Sequence, residues 1–249
     1  VIASWFSAGC SSFVAAYIMR DEIDRVVFID VANQHPDTYR FLADCESVLG
    51  MEIDIICDFK FGASVDEVIE RKRYINGVAG APCTLELKKR VRQEWERQFA
   101  EPITYVWGFD ADERARADRL EAGMVEFSHR FPLIERGLTK KDVHAICAEL
   151  GIKRPAMYDM GYPNNNCIGC VKGGMGYPNN NCIGCVKGGM GYWNAIRRDF
   201  PDVFERRARQ EREIGHSCIK GVFLDELEPN RGRMDEVMPE CSFACLGVA

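Results

Sequence analysis

The sequence lacks any apolar stretch approaching the eighteen or more residues that a membrane-spanning helix needs, so a soluble chain without a membrane partner is expected. It also lacks an excess of positive charge: 32 Lys and Arg stand against 38 Asp and Glu, a net charge of −6 at pH 7. Wrapping nucleic acid by bulk charge is thereby excluded, and only a local basic groove could serve such a partner. No secretory leader precedes the 12 cysteines, and a disulfide scaffold belongs to short secreted chains, so a reducing cytoplasm is expected. Val1 stands where a methionine would, and the natural start is expected upstream of it. With 249 residues, 47% of them hydrophobic and 28% charged, the chain suits one large α/β domain or two small ones rather than extended disorder.

What the sequence does have is a cysteine stretch from Met160 to Trp193. MGYPNNNCIGCVKGG occurs twice in immediate succession, identical at all fifteen positions, and runs on into MGYWN. It carries two Cys-x-x-Cys pairs, Cys167 with Cys170 and Cys182 with Cys185, set among Asn and Gly rather than in an apolar run. Two intervening residues let both thiolates turn to one centre, and Gly169 and Gly184 permit the tight backbone, so a metal or redox role is expected. One repeat of a fifteen-residue period is too short for a solenoid, which marks either a local duplication or a sequence-assembly accident, with one copy expected to be redundant.

Along the chain, the apolar run of residues 1–6 breaks at SAGCSS and resumes with helical composition, which predicts strand, loop and helix. Ser7, Gly9, Ser11 and Ser12 then sit at a helix N-terminus, either as a plain turn or as an anion site fed by free N–H groups and the helix dipole. RVVFID (25–30) predicts a strand ending on Asp30, and a helix follows with Pro36 near its start and Gly50 as its stop. Residues 52–59 predict a third strand, and Ser64 with Glu67 caps a charged helix. After a Gly/Pro break, a helix is predicted from residue 85 with Leu87, Val91 and Trp95 on one face. Its start holds Thr84, Lys88, Lys89 and Arg90, either a solvated basic face or an anion site. A fourth strand, YVWGF (105–109), leads to Arg114, Arg116 and Arg119, which either fork onto phosphate or sulfate or pair with neighbouring acids. FPLIE (131–135) reads as a short strand, and Thr139 with Asp142 caps a helix stopped by Gly151. After the second copy, a helix broken at Pro201 is expected, followed by an irregular tail whose Cys241 and Cys245 form a further thiol pair. Strands alternating with helices predict a Rossmann-like, twisted, mainly parallel sheet with helices on both faces, binding ligands beyond the strand carboxyl ends. Residues 1–159 would form the nucleotide-binding part, and residues 160–249 a cysteine-rich region packed on it.

Several of these segments together resemble one family. SAGCSS resembles the pyrophosphate loop of the adenine nucleotide α-hydrolase group. Asp30 with HPDT (35–38), the CTxxLK pattern at 83–88, GFDADERAR and FPLIE resemble the phosphoadenosine phosphosulfate (PAPS) reductase branch. PAMY, the CIGCVKGGMGYWNAIRRDFP block and the terminal Glu-Cys resemble its cysteine-rich phage and bacterial members. Three departures stand out. Ala8 replaces a loop glycine and Ser11 an aspartate of ATP-cleaving relatives, the tail reads Glu-Cys-Ser-Phe-Ala-Cys, and four internal cysteines stand where the pattern supplies two.

The resemblance implies a sulfonucleotide (PAPS or APS) reductase-like enzyme. Ser7, Gly9, Ser11 and Ser12 would cradle phosphate, Asp30 would meet ribose or adenine, and Lys88, Arg116 and Arg119 would hold the sulfate or phosphate end. Cys182, Cys185, Cys241 and Cys245 would hold an iron–sulfur cluster of the 4Fe-4S type, or zinc, with Cys167 and Cys170 as the alternative pair. If Cys241 is not a ligand, it occupies the place of the nucleophile that attacks the sulfonate sulfur, and a thioredoxin-like reductant would release sulfite. Two other readings are an ATP-dependent sulfurtransferase acting on tRNA or DNA, and a non-catalytic nucleotide-binding module with structural zinc. Because the second copy runs directly into a helix, Cys182 and Cys185 are the expected ligand pair, with the first copy a surface loop.

Overall fold

The structure is a computed structural model, and it describes residues 1–76, 80–162, 165 and 183–232. Three short runs of β-branched and aromatic residues form the first three strands: β1 (Ile2–Phe6), β2 (Arg25–Ile29) and β3 (Ile53–Ile56). With β4 (Thr104–Val106) and β5 (Ser128–Arg130), the described residues make a five-stranded sheet in the order β3-β2-β1-β4-β5, every pair parallel. Both faces are covered, as an all-parallel sheet requires.

The helical elements follow in chain order: α1 (Cys10–Ile18), α2 (Asp37–Leu49), α3 (Val65–Lys72) and the single turn α4 (Pro82–Thr84). A π-helical stretch, Leu85–Lys89, leads into α5 (Arg90–Glu96). Then come α6 (Arg114–Gly123), α7 (Pro132–Glu135), α8 (Lys140–Glu149), α9 (Ala156–Asp159), α10 (Met190–Asp199) and α11 (Pro201–Ile214). Alternation along the strands sorts the core into two layers. Phe6, Val26, Phe28 and Val106 pack with Phe13, Phe41 and Val143 of α1, α2 and α8. Ala3, Trp5, Val27 and Tyr105 pack with Trp95, Ala117 and Leu120 of α5 and α6. A third cluster joins Val65, Val68 and Ile69 of α3 to Ile183 and Val186 of the second repeat copy and to Trp193 and Phe204 of α10 and α11. Residues on both sides of position 160 thus share one core.

The predicted stops hold for clear reasons. Gly50 and Gly151 are left-handed, with φ of 68° and 72°, the C-terminal conformation that glycine adopts without strain. Ser64 and Thr139 each accept the N–H three residues on. Two expectations fail. FPLIE is a helical turn, not a strand, because Pro132 at its first position is already set for a helix; the strand is the preceding Ser128–Arg130. The first repeat copy is not wholly a surface loop, since its Tyr162 and Asn165 are buried.

The described parts of the two copies are complementary. The first contributes Met160, Gly161, Tyr162 and Asn165; the second contributes residues 183–189. Tyr162 donates its hydroxyl hydrogen to Asp199 at the end of α10. In the second copy a Cβ on Gly184 would lie 2.5 Å from Val203, and one on Gly188 would lie 1.9 Å from the Tyr192 ring, so both positions need glycine for α10 and α11 to close. No helix among the described residues is long and apolar enough to cross a membrane.

Candidate functional site

Strand order reverses at β1. From it the chain winds outward to β2 and β3, then returns to β4 on the other side, which opens a crevice between the carboxyl ends of β1 and β4. The loop Ser7–Ala8–Gly9 and the first turn of α1 lie at that crevice. Ser12 organises the loop: its hydroxyl donates to the Gly9 carbonyl at 2.9 Å and accepts from the Ser7 N–H and hydroxyl, both at 3.1 Å. Ala8 is left-handed at φ 54°, so it keeps the backbone shape of a glycine despite its methyl group. Gly108, two residues past β4, closes the crevice from the other side. A Cβ there would lie 2.5–2.8 Å from backbone atoms of Ser11 and Ser12. The N–H groups of Ser11 and Ser12 have no acceptor among the described residues, which leaves donors of the first helical turn available to an anion.

Two later segments reach back over the loop. Arg40 pairs bidentately with Asp37 at 2.7 and 2.8 Å and donates to the Lys153 carbonyl; Asp37 also accepts the Ala156 N–H. This tie fixes α9, whose Tyr158 hydroxyl would be 3.2 Å from a Cβ on Gly9 and lies against the N–H groups of Cys10 and Asn165. The Asn165 side chain, 2% exposed, donates to the Ala8 carbonyl, while its Oδ1 has no partner among the described residues. Ile183 of the second copy donates its N–H to the Asn33 carbonyl beyond β2. The cysteine stretch is therefore anchored at the carboxyl ends of β1 and β2.

The sequence-predicted residues distribute as follows. Ser7, Gly9, Ser11 and Ser12 come together as described. Asp30 follows β2, where its carboxylate accepts from Gln34 at 2.8 Å and from the Tyr39 hydroxyl at 3.0 Å. Burial and that carboxylate push the Tyr39 hydroxyl up to about 12. Lys88 is buried in the π-helical stretch, a geometry that recurs at functional sites. Arg116 is buried, ion-paired with Glu113 and stacked 4.1 Å over the Phe109 ring, whereas Arg119 is exposed. Cys167, Cys170, Cys182, Cys241 and Cys245 lie outside the described residues. Cys185 is described: it is 8% exposed, its N–H donates to the Tyr192 hydroxyl, and it neighbours buried Cys218. That dry, sulfur-lined setting fits one soft ligand. Among the described residues no group of three or more potential metal ligands occurs.

Sequence reasoning missed one cluster. Lys140, His144 and Cys147 repeat at i, i+4 and i+7 on α8 and face Cys10, the first residue of α1. Lys140 lies near Asp110, Glu113 and Arg116 as well, and desolvation lowers its pKa against the pull of those acids. The helical spacing was available in the sequence, but its partner, Cys10, is 130 or more residues away along the chain.

No family model matches the chain, and no curated protein is similar to it. Among solved structures it is similar to phosphoadenylyl-sulfate (PAPS) reductase from Candida auris in a phosphate complex. The two are 13% identical with a TM-score of 0.47, over 65% of this chain and 78% of that one.

Proposed function

We propose that this chain is a sulfonucleotide reductase-like enzyme that binds an adenine nucleotide with its anionic end at the N-terminus of α1. The observation that carries the reading is the crevice between β1 and β4, where the serine loop, the open N–H groups of Ser11 and Ser12 and the close approach of Gly108 meet. Phosphate oxygens accept from those N–H groups, and the positive end of the helix dipole favours their charge. The Ser7 and Ser12 hydroxyls hold the loop in shape. Asp30, oriented by Gln34 and Tyr39, presents a carboxylate to ribose hydroxyls or the adenine amine. Lys88, Arg116 and Arg119 supply positive charge for the sulfate end in this reading.

The chemistry follows from the sequence resemblance. A thiolate, assigned to Cys241, attacks the sulfonate sulfur; the bond from sulfur to the bridging phosphate oxygen breaks, and the nucleotide leaves as a phosphate. A dithiol reductant then attacks the S-sulfocysteine sulfur and releases sulfite, taking up the disulfide. In the same proposal Cys182, Cys185, Cys241 and Cys245 hold an iron–sulfur cluster, with Cys167 and Cys170 as alternatives, and Cys241 serves either as ligand or as nucleophile. A bound cluster would supply one-electron redox capacity beside the nucleotide.

The test is anaerobic incubation of the full chain with PAPS, APS or ATP and a dithiol reductant. Sulfite released from a sulfonucleotide is the expected result. Turnover of ATP alone would replace the proposal with the sulfurtransferase reading, and no turnover with one zinc bound would favour the binding module.

A further inference from the structure

The serine loop contains one residue in a strained conformation, and the brace for it comes from 157 residues further along the chain. Ala8 is left-handed at φ 54° and fully buried, a state that an L-residue keeps only where its surroundings fix it. The peptide after it is pinned at both ends. Its N–H, on Gly9, donates to the Ser12 hydroxyl at 3.4 Å, and its carbonyl accepts from Nδ2 of Asn165 at 2.5 Å. A carbonyl only accepts, so the Asn165 amide must turn its nitrogen to Ala8. The same nitrogen lies 3.5 Å from the hydroxyl of Thr38, a fully buried residue of α2. Asn165 thus bridges the loop after β1 to the start of α2. The backbone leading to it is itself held: Gly161 is left-handed at φ 90°, the Tyr162 N–H donates to the Met157 carbonyl at 3.0 Å, and the Tyr162 hydroxyl donates to Asp199 at 2.7 Å.

We propose that Asn165, in the first copy of the duplicated motif, is a positioning residue for the anion loop: it sets the shape in which the loop receives the phosphate end of the nucleotide. The inference rests on the reading of that loop as the anion site. Without the Asn165 donor, the Ala8 carbonyl is a buried acceptor with no partner, and the peptide turns to recover a hydrogen bond. Ala8 then leaves its left-handed state, and Gly9 moves with it. Gly9 and Ser7 are both tied to the Ser12 hydroxyl, so the first turn of α1 loses the alignment of its free N–H groups. The donated hydrogen also offsets the negative end of a carbonyl dipole in the loop that receives an anion. Asn165 acts through the loop and not on the ligand. Its counterpart in the second copy, Asn180, has the same sequence neighbours, yet the described part of that copy, residues 183–189, packs against α10 and α11 instead. The two identical copies thereby serve different ends of the molecule.

The experiment titrates the reduced full chain with PAPS, inorganic pyrophosphate and adenosine, as wild type, Asn165→Ala, Asn180→Ala and the double variant. Asn165→Ala should weaken PAPS and pyrophosphate about tenfold, the effect of leaving one buried carbonyl unpaired, and leave adenosine affinity unchanged. Asn180→Ala should bind all three as wild type does. Unchanged anion affinity in Asn165→Ala overturns the proposal, as does an equal loss in Asn180→Ala or a loss seen only in the double variant. A parallel loss of adenosine affinity would assign the effect to the fold and overturn it too. Should Asn165→Ala fail to fold, hydrogen exchange of the wild type decides: the peptide spanning 158–165 should slow its exchange with PAPS and not with adenosine, and exchange indifferent to PAPS would overturn the role. A wild type that binds neither anion defeats the reading of the loop itself, whereas anion binding indifferent to Asn165 defeats this inference alone.

Discussion

Gly108 has no side chain because the backbone of Ser11 and Ser12 occupies the space one would need. Gly108→Ala should therefore push β4 and α1 apart and cost about 1–3 kcal/mol in urea unfolding, the usual range for overpacking. Anion binding at the loop should weaken with it. Ala8 presents the opposite case: it is strained at φ 54° and surrounded by protein. Ala8→Gly relieves the left-handed strain but loosens the unfolded chain, and these opposing terms leave a change of less than about 1 kcal/mol in either direction. A loss above that would show that the methyl group itself holds the loop. Neither glycine's role at 108 nor the handedness at 8 is legible in sequence, because both depend on segments a hundred residues apart meeting at the crevice. The strand–loop–helix course at the serine loop was legible, since an apolar run breaks at SAGCSS before residues of helical composition, whereas the choice between a plain turn and an anion site was not.

At the scale of elements, the strands and helices that carry strong apolar periodicity or caps were readable, whereas β5 was not. Ser128, His129 and Arg130 form a polar edge strand without an apolar signal, and the neighbouring apolar FPLIE competed for the assignment. The HPDT and PAMY segments, read through resemblance, prove to be joined: Asp37 and Arg40 of α2 hold the start of α9. Asp37 is held below its ordinary value of 3.8 by the Arg40 guanidinium and by the Ala156 N–H, against its burial. A carboxyl lowered in the folded state contributes stability that is fully present above its unfolded pKa and fades as pH falls through the folded one. Asp37→Asn should thus lower the melting temperature at pH 7 by an amount matching about 1–3 kcal/mol, and the gap to wild type should narrow below about pH 3.8. A gap independent of pH would assign the loss to shape instead. The duplicated motif gives a second element-scale expectation. Among the described residues the two copies contribute non-overlapping parts of the motif, Met160–Tyr162 with Asn165 from one and residues 183–189 from the other. Deleting residues 166–180 leaves one intact copy and every described contact, so the shortened chain should match the full one in urea midpoint and in nucleotide affinity. A large fall in either would show that the extra copy contributes.

For the whole molecule, the parallel sheet puts the serine loop, the β2 end with Asp30, and the anchored ends of the cysteine stretch on one side, beyond the strand carboxyl ends. This is where an open parallel sheet places its ligands, and the sequence revealed it because β and α elements alternate so regularly. The reversal of strand order between β1 and β4 could not be read, since the sequence does not say on which side of β1 the fourth strand returns. The central claim is that the N-terminus of α1 at this crevice holds the anionic end of an adenine nucleotide. The most direct measurement is a calorimetric titration of the reduced full chain with PAPS, run in parallel with adenosine. The account predicts saturable one-to-one binding of PAPS, weakened by salt and at least about tenfold tighter than adenosine, because charge-assisted bonds to the helix N-terminus are worth about 1.5–3 kcal/mol. Equal affinity for adenosine, or PAPS binding indifferent to Gly9→Val, would contradict it.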